Sequence, residues 1–471
     1  MITNPLLWLS DIGILAGLWI LGILAVRAIL PVSRLLEQVA LGFGLGIGIL
    51  TWSLFLISWT GLSLNSATIL LTYFFLLALF IVSIQKASRG KHPLSASNPE
   101  HAYGLQGIPD VIGWFFFVTF GAFLFLLSIG LSYYFWDAMA IWSVKGYGMG
   151  AEQSIFGALD WGAKGLAYPL NIPLAINIFF LADRDMLPGS KLLFPGYFIA
   201  MLIGLRVLFY RQRLPAWFAW CAVFAIGTIP LLLQYSLIGY ANIPYVYYYV
   251  IGIIWVCVGL DSQDLQRILL GAMLLALSIW TRLEGLEFWP LALISIGIVW
   301  RKEILDKKIL LRILVPALVV GGSWVIFSRA NHATTGETVL LSYAISQVLH
   351  GELNPLAAYQ ILRFTAYLVI KTRTYGVLVP VMIGLALLAI VFNKETRKDK
   401  VSLTLLVSGS LTGIGVMLMY YLTSYDQSSD LLSWLGTGYD RMLFGALVLL
   451  ATASALILWR FWSEEVNNVV I

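Results

Sequence analysis

Long apolar segments recur along the whole chain, and they constrain its fold more strongly than any other feature of the sequence. Segments of about 17 to 25 mostly apolar residues repeat from one end to the other, and each is long enough to cross a hydrocarbon core of ~30 Å as a helix. Charged residues make up only 11% of the 471 residues, whereas soluble domains contain roughly 25%. The sequence therefore predicts an all-α polytopic membrane protein, because a helix satisfies its backbone hydrogen bonds without water.

The apolar segments predict about 13 membrane spans. A further apolar segment at 168–182 has only about 15 residues and contains Pro169 and Pro173, which favours a partial or re-entrant helix over a full span. If it did cross the membrane, the total would be about 14. The predicted spans lie at about 6–30, 39–60, 66–85, 110–133, 191–210, 216–236, 243–260, 265–281, 284–300, 309–328, 376–392, 402–423 and 441–460.

Lys and Arg cluster in alternate connections between these spans, and this pattern predicts the orientation of the chain. Cytoplasmic loops of membrane proteins carry an excess of Lys and Arg, so we expect the basic connections on the cytoplasmic side. These connections lie near residues 211–213, 267, 301–308 and 394–400. The outer face then carries the loops at 134–167, around Asn242 and Arg282, at 329–375 and at 424–440.

A polar stretch rich in helix-breaking residues, 85–109, separates the first three spans from the rest of the chain. It predicts a cytoplasmic linker between an N-terminal three-span unit, 1–109, and a main domain, 110–471. The first apolar segment lacks the basic start and small-residue cleavage pattern of a signal peptide, so we expect the chain to insert in the plasma (inner) membrane through its own first helix. Cys221 and Cys257 lie inside apolar segments, where cysteines usually serve as packing residues.

Asp137 is the most conspicuous charge in the sequence, because it follows closely on the apolar segment 110–133. Lys145 comes eight positions later. In a helix the two residues would be separated by roughly 12 Å along the axis and about 80° around it, too far for a simple ion pair. Their spacing suits opposite ends of one polar cavity. The surrounding loop, 134–167, is expected to carry short helices lying on the membrane surface.

Two further charged sites lie at predicted outer ends of spans. Arg282 and Glu284 occupy a break between two spans and are close enough to form a structural ion pair, an alternative to ligand binding that stays open. Arg441 follows Asp440 at the start of the last span, where a guanidinium and a helix N-terminus together can bind phosphate oxygens. Other outer basic residues more often extend to lipid headgroups; these are Lys164, Lys191, Arg363, Lys371 and Arg373.

These charges suit one chemistry at a membrane surface. Cationic side chains would bind a lipid-linked phosphate and stabilise it as it departs, while a carboxylate would take the proton of an acceptor hydroxyl as general base. Tyr and Trp residues in 134–167 suit stacking on a sugar ring, and they are equally typical of an interfacial aromatic belt. The amphipathic stretch from Leu356 to Arg373 is expected to lie in the membrane interface. Membrane lipids are therefore expected partners, and nucleic acid is not.

Several short motifs follow one another in a fixed order across residues 110–460. They are Trp136-Asp137-Ala138 with Ile141-Trp142 and Lys145, Tyr168-Pro169-Leu170 with Pro173-Leu174, Gly239-Tyr240-Ala241-Asn242-Ile243-Pro244, Arg282-Leu283-Glu284-Gly285, Ser433-Trp434 and Asp440-Arg441. In this order they resemble the bacterial GT-C superfamily of glycosyltransferases, multi-spanning enzymes akin to protein O-mannosyltransferases and the lipid A aminoarabinose transferase. Each motif alone is weak, and the resemblance depends on the ordered set.

The resemblance implies a GT-C-like core whose long first extracytoplasmic loop bears interfacial helices. It implies an inverting glycosyltransferase that moves a sugar from a polyprenyl-phosphate donor to a glycan, lipid or protein acceptor on the extracytoplasmic side, with Asp137 as the catalytic base. It implies no essential cofactor and leaves a divalent metal open. The residues implied in substrate binding are Lys145, Asp160, Tyr168, Pro169, Asn242, Arg282, Glu284, Trp434, Asp440 and Arg441.

Two positions depart from the family pattern. Asn242 stands where relatives carry Asp in the Gly-Tyr-Ala-Asp-Leu-Pro motif, and Ala167 precedes Tyr168 where relatives tend to have His or Asp. Either change can alter the preference for acceptor or metal. Asp160, eight residues before Tyr168, is a candidate for a second acid.

Two other classes of protein are compatible with the sequence. A transporter or flippase of a lipid-linked or amphiphilic substrate would also have many spans and broken helices, but it should show two related halves with polar groups near the bilayer midplane. The unusual charges here lie at helix ends instead, and no related halves are visible. A structural subunit that scaffolds polysaccharide assembly is the third possibility, and it predicts that Asp137, Lys145 and Arg441 are dispensable.

Overall fold

The computed structural model describes residues 5–89, 107–131, 135–161, 165–181, 187–333, 337–392, 398–425 and 430–469. Across these residues the chain is all-helical and contains no strand. The prediction of an α-helical, multi-pass membrane protein is therefore confirmed, because many of the helices are long and apolar enough to cross a bilayer.

Nine helices in the described part of the chain have the length and composition of membrane spans. Each coincides with a segment predicted from the sequence, with ends that differ by a few residues. They are α1 (Pro5–Ile29), α2 (Leu35–Trp59), α3 (Ser66–Arg89), α4 (Ile108–Gly130), α9 (Leu193–Arg211), α12 (Asn242–Asp261), α15 (Lys307–Ala330), α20 (Lys400–Thr423) and α23 (Phe444–Val469).

The other four predicted spans form shorter helices. The segment 216–236 is interrupted, because Pro230 starts a new helix and its ring cannot continue the preceding one. At ~1.5 Å per residue the remaining three are close to the shortest helix that crosses a bilayer, so the total of about 13 spans stays a prediction. These helices are α10 (Ala216–Gly227), α11 (Pro230–Tyr235), α13 (Leu265–Thr281), α14 (Glu284–Val299) and α19 (Leu378–Phe392).

Short helices occupy the predicted loops. The segment 168–182 forms only a brief helix followed by the 3₁₀ turn Phe179–Leu181, in line with the predicted partial helix. The loop 329–375 is more helical than expected. It contains one helix at the predicted amphipathic stretch and another helix before it. The short helices are α5 (Val144–Glu152), α6 (Gly157–Asp160), α7 (Asn171–Ile178), α8 (Leu187–Ser190), α16 (Glu337–Leu349), α17 (Pro355–Ile370), α18 (Thr372–Tyr375), α21 (Leu431–Trp434) and α22 (Asp440–Met442).

The chain divides into two compact units. The first unit comprises Met1–Lys164, Pro169–Val223 and Ser236–Ile251, and the second comprises Gly165–Tyr168, Phe224–Tyr235 and Gly252–Ile471. The predicted boundary at residue 109 lies within the first unit, and most of the predicted linker, 90–106, lies outside the described residues.

Close helix contacts in the first unit depend on small residues. Gly22 on α1 faces Gly42 and Gly46 on α2 so closely that a methyl group on any of them would overlap the backbone of the other helix. Such small-residue faces let membrane helices approach at backbone distance. The hydroxyl groups of Tyr247 and Tyr248 then donate to the carbonyl oxygens of Ala40 and Gly44, at 2.8 and 2.7 Å. A glycine-rich helix thus exposes backbone acceptors that buried tyrosines satisfy.

Polar contacts in the first unit join connections that the charge pattern predicts to be on the same side. Buried Glu37, at the start of α2, pairs with Arg211 at the end of α9. Asp110, at the start of α4, accepts a hydrogen bond from Arg206 at 2.8 Å and another from Trp220 at 2.7 Å. Asp110 and Arg211 adjoin connections predicted to be cytoplasmic, and the α1–α2 connection beside Glu37 is on the same side if the first three spans alternate. The packing therefore agrees with the predicted parity of the spans.

The second unit has a similar polar end. Lys400, at the start of α20, pairs with Glu303 at 2.7 Å, and Arg460 on α23 lies 3.2 Å from Asp399, the N-cap of α20. The side-chain hydrogen bond from Lys400 lowers the pKa of Glu303. Trp300 donates its indole N–H to Thr404 at 2.9 Å. These groups lie at the opposite helix ends from Arg282, Tyr420 and Arg441 along the chain.

Candidate functional site

Asp137 lies in the first unit, directly before a π-helical turn, Ala138–Ser143. Its backbone N–H donates to the hydroxyl of Tyr240 at 3.4 Å, and the Tyr240 ring makes an edge contact with Phe135 at 6.3 Å between ring centroids. Tyr240 belongs to the 239–244 motif, so the structure brings the first and third motifs of the ordered set together. The Asp137 side chain is partly exposed. Short π-helical insertions are frequent at functional sites.

Lys145 is buried, so its ammonium group is not accessible to a ligand in this structure. Its side chain on α5 has 0% exposure, and burial lowers the pKa of its ammonium group to about 7. Helix α5 packs on α7, where Asn177 donates to the carbonyl oxygen of Gly146 at 3.3 Å. A donor phosphate would reach Lys145 only if neighbouring side chains moved.

The remaining predicted residues of the first unit lie in three separate environments. Asp160 is exposed at the end of α6, next to Trp161. Pro169 is buried just before α7. Asn242 is 2% exposed and is the first residue of α12. It lies two positions after Tyr240 in the 239–244 motif.

The second unit contains a buried ion pair at the break between α13 and α14. Arg282 donates through Nε to Oε2 of Glu284 at 2.9 Å and through Nη2 to Oε1 at 2.6 Å. The side chains are 5% and 10% exposed. The pairing that the sequence suggested is therefore confirmed, and it is bidentate. Because Glu284 neutralises much of the charge of Arg282, this pair alone is not a free cationic site.

Arg441 adds a second guanidinium to this region. A Cβ built on Gly438 would lie 3.1 Å from the Tyr420 hydroxyl at the end of α20 and 3.5 Å from Nε of Arg441, so these two side chains are neighbours. Met442, the residue after Arg441, contacts Arg282 through its sulfur. We call Arg282, Glu284, Tyr420, Asp440 and Arg441 the two-arginine cluster. It is built from three chain segments that are far apart in sequence.

Asp440 is adjacent to Arg441 in the sequence and contacts its backbone. Its Oδ1 accepts the backbone N–H of Arg441 at 2.7 Å. Burial raises the pKa of the Asp440 carboxyl, and the hydrogen bond and the charge of Arg441 offset this only in part. The local field around Arg441 therefore becomes more positive wherever Asp440 takes up a proton.

An aromatic residue covers the other arginine. The guanidinium carbon of Arg282 lies 5.5 Å from the ring centroid of Tyr168, a cation–π distance. Arg282 also approaches the sulfur of Met442 at 3.9 Å. Tyr168 comes from the segment Gly165–Tyr168, which belongs to the second unit although its chain neighbours belong to the first. The cluster thus combines cationic and aromatic side chains.

A second π-helical turn, Leu435–Tyr439, ends directly before Asp440 and is held by α17 and α18. Thr365 on α17 shares a hydrogen bond of 2.5 Å with the hydroxyl of Tyr439, and Tyr375 on α18 donates to the carbonyl oxygen of Asp440 at 2.8 Å. The amphipathic stretch predicted from the sequence therefore supports the segment that carries Arg441. Trp434, just before this turn, is 40% exposed.

Sequence reasoning identified the charged members of the cluster but missed what holds them. Tyr420 lies at the end of an apolar segment, where it looks like any interfacial aromatic residue. Neither π-helical turn has a signature in the sequence, and the roles of Thr365 and Tyr375 depend on contacts with residues more than 60 positions away. Of the residues singled out for substrate binding, Tyr168, Arg282, Glu284, Asp440 and Arg441 come together.

The described residues contain no group of three or more His, Cys, Asp or Glu side chains that could hold a metal ion. Cys221 and Cys257 are both free thiols. The polar chemistry in the described part of the site therefore comes from carboxylates, guanidinium groups, an amine and tyrosine hydroxyls. Comparison of the chain with protein-family models, with curated proteins and with solved structures finds no match.

Proposed function

We propose that the protein is a GT-C-type membrane glycosyltransferase that transfers a sugar from a polyprenyl-phosphate donor to an acceptor on the extracytoplasmic side. The observation that carries this proposal is the two-arginine cluster with Tyr168. A lipid-linked phosphate needs cations at the level where apolar helices end, and Arg282 and Arg441 occupy such a level in the second unit. The proposed core contains about 13 spans, which accords with the sequence pattern.

Arg441 takes the leading role in holding the donor phosphate. Arg282 is already committed to Glu284 through two hydrogen bonds, whereas the carboxylate next to Arg441 has a raised pKa. A phosphate that replaces or adds to these contacts gains charge-assisted hydrogen bonds from a planar guanidinium. Tyr168 then contributes an aromatic wall beside Arg282.

Asp137 takes the role of general base. Its side chain is partly exposed, and it adjoins Tyr240 of the 239–244 motif. As base it accepts the proton of the acceptor hydroxyl while that oxygen attacks the anomeric carbon. The bond from that carbon to the phosphate oxygen breaks, and the polyprenyl phosphate leaves with the electron pair. Inversion follows from a single displacement of this kind.

The first test replaces Asp137 with Asn. Membranes that contain the variant are supplied with radiolabelled polyprenyl-phospho-hexoses, and the transferred label is measured. We expect the rate to fall by roughly 10²–10⁴-fold, the usual contribution of a positioned base. Glu352→Gln is the matched control, since Glu352 is an exposed carboxylate outside the proposed site. Full activity of Asp137→Asn would exclude Asp137 as the base.

A second measurement separates the enzyme from its alternatives. Purified protein is analysed by mass spectrometry for bound polyprenyl phosphate, and Arg441→Gln is expected to lose it while Asp137→Asn keeps it. A transporter or flippase would instead move the intact phospho-sugar between leaflets without releasing polyprenyl phosphate. A structural subunit would show neither lipid retention nor dependence on Arg441.

A further inference from the structure

The first unit carries an exposed pair of aromatic rings that the proposed chemistry does not use. Tyr147 on α5 is 43% exposed, and Trp161, directly after α6, is 44% exposed. Their ring centroids lie 5.4 Å apart with an angle of 54° between the ring planes. Neither residue belongs to a helix long enough to cross a membrane. Large exposed aromatic surfaces of this kind often mark a binding site.

The position of the indole ring is fixed by its surroundings. The Trp161 N–H donates to Oε1 of Glu152 at 2.7 Å. Helix α5 meets α6 at Gly148 and Gly157, and a Cβ on Gly148 would lie 2.7 Å from Cγ of Trp161. A side chain at position 148 would therefore push the ring away. An aromatic ring held in place before a ligand arrives loses little conformational entropy on binding.

Contacts with the α2–α3 connection place this pair at a helix end. Gln153, which follows α5, accepts the backbone N–H of Leu64 at 2.7 Å and the hydroxyl of Ser63 at 3.0 Å. Ser63 and Leu64 lie between the end of α2 and the start of α3. The rings are thus near the level where the spans of this unit end, within reach of an aqueous ligand.

The charge around the pair indicates which ligand it suits. Glu152 and Asp160 are exposed carboxylates, and the other charged residue in the described segment 145–161, Lys145, is buried with 0% exposure. This local charge disfavours anionic headgroups and phosphates. Carboxylates accept hydrogen bonds from hydroxyl groups, while the C–H face of a sugar ring packs on an aromatic ring. A neutral saccharide satisfies both features, whereas the phosphate of a lipid headgroup is repelled by these carboxylates.

We propose that Tyr147 and Trp161, flanked by Glu152 and Asp160, form a binding site for a neutral saccharide, which serves as the acceptor or as part of it. The saccharide-binding step stands on the geometry of this site alone. Only its assignment as acceptor rests on the proposed glycosyltransferase function. The site therefore narrows the acceptor to a molecule that carries a neutral glycan.

The test measures binding of soluble oligosaccharides to purified protein in nanodiscs by saturation-transfer NMR. The probes are hexasaccharides of β-linked glucose, of mannose and of N-acetylglucosamine. We expect at least one to bind, and Trp161→Ala to weaken it by on the order of tenfold, as loss of a stacking partner does for other ligands. Trp161→Phe, which keeps a ring but loses the bond to Glu152, should bind better than Trp161→Ala.

Trp217→Ala is the matched control. Trp217 has the same 44% exposure and also contacts a neighbouring aromatic ring, Phe218, but it lies on the apolar helix α10. Its loss should leave saccharide binding unchanged. Any of three outcomes would overturn the proposal. They are failure of all three hexasaccharides to bind, equal binding by Trp161→Ala and wild type, and binding of hexalysine in place of the hexasaccharides. Thermal unfolding of every variant excludes loss of fold as the cause.

The two proposals fail in different ways. If the hexasaccharide binds through Trp161 but no labelled sugar is transferred, the saccharide site stands and the glycosyltransferase function is wrong. If transfer occurs and Trp161→Ala neither weakens saccharide binding nor raises the acceptor KM, the function stands and this site is wrong. Retention of polyprenyl phosphate by Trp161→Ala, followed by mass spectrometry, shows that the donor site is intact.

Discussion

Arg441 depends on a glycine three positions before it. A Cβ built on Gly438 would lie 3.1 Å from the Tyr420 hydroxyl and 3.5 Å from both Nε and Nη2 of Arg441. The absence of a side chain at this position therefore lets the guanidinium and the phenol approach the π-helical turn Leu435–Tyr439. Gly436 belongs to the same turn, and a Cβ there would meet nothing within 4 Å. The two glycines offer a matched pair.

Gly438→Ala should displace the Tyr420 hydroxyl by a few tenths of an ångström and place a methyl group in van der Waals contact with the Arg441 guanidinium, which restricts that side chain. We expect it to weaken retention of polyprenyl phosphate by roughly tenfold, about 1.4 kcal/mol, while Gly436→Ala retains the lipid as wild type does. Quantitative mass spectrometry of the co-purified lipid measures both. Equal retention by the two variants would show that the position of Arg441 does not depend on Gly438.

Lys145 makes stability depend on pH in a direction that follows from its burial. Its pKa falls from 10.5 to about 7 in the folded protein. Below about pH 7 the folded state must carry a buried charge, so the lysine opposes folding most strongly there. As pH rises towards the ordinary lysine pKa, Lys145 in the unfolded state also loses its proton, and its destabilising contribution to the free energy of unfolding shrinks.

Lys145→Met should therefore stabilise the protein more at low pH than at high pH. We expect the gain in unfolding free energy to be on the order of 2–3 kcal/mol larger at pH 6 than at pH 9. Thermal unfolding of the detergent-solubilised variant and wild type at the two pH values measures this difference. A gain that does not change with pH would mean that Lys145 keeps its ordinary pKa in the fold.

Helices α1 and α2 pack through a face that lacks side chains. A methyl group on Gly46 would overlap the carbonyl oxygen of Leu18, and one on Gly22 would overlap that of Gly42. Because lipid tails are themselves apolar, the hydrophobic effect does not drive membrane helices together. Close backbone contact allows extended van der Waals packing to do so instead. A different glycine of α2, Gly44, leaves room for the buried tyrosines of α12, whose hydroxyl groups donate to carbonyl oxygens of α2.

Gly46→Ala should destabilise the first unit by about 1–3 kcal/mol, the usual cost of overpacking. Gly13→Ala on α1 is the control, because a Cβ at Gly13 meets nothing within 4 Å, and alanine favours a helix by up to about 1 kcal/mol. Thermal unfolding in detergent compares the two. Similar stability of both variants would indicate that α1 and α2 are not in backbone contact.

The elements around the two-arginine cluster differ in how far they could be predicted. The amphipathic pattern indicated α17, and the structure places this helix against the segment that bears Arg441 through Thr365 and Tyr439. Helix α16 was not predicted, because its 13 residues are too few for a membrane span. It also lacks a clear apolar face. The π-helical turns have no sequence signature, since they differ from an α-helix by a single inserted residue.

For the chain as a whole, the orientation can be tested without knowledge of the function. We expect a cysteine at Gln153 to be labelled in intact cells by a membrane-impermeant maleimide, and a cysteine at Lys302 to be labelled only after permeabilisation. Both positions are exposed, and the charge pattern predicts them on opposite sides. Cys221 and Cys257 are first replaced with Ser and Ala. Labelling of Lys302→Cys from outside would reverse the predicted orientation.

The sequence by itself determined the class of protein and the positions of most helices. Long apolar segments in a lipid solvent have one common solution, the α-helix, and basic residues between them give a consistent parity. It also singled out Asp137, Arg282 and Arg441, because charges at the ends of apolar helices are costly to place and therefore conspicuous.

Only the tertiary structure decided which of these charges act together. Arg282 and Arg441 are separated by more than 150 positions, and nothing in their local sequence encodes that Arg282 contacts Met442, the residue after Arg441, or that Arg441 lies beside Tyr420. The structure also removed Lys145 from the accessible surface, since helix packing and not the local sequence sets burial. Long-range packing fixes the distances between side chains, their burial and the neutralisation of their charges. These quantities decide which of the conspicuous charged residues form a candidate binding site.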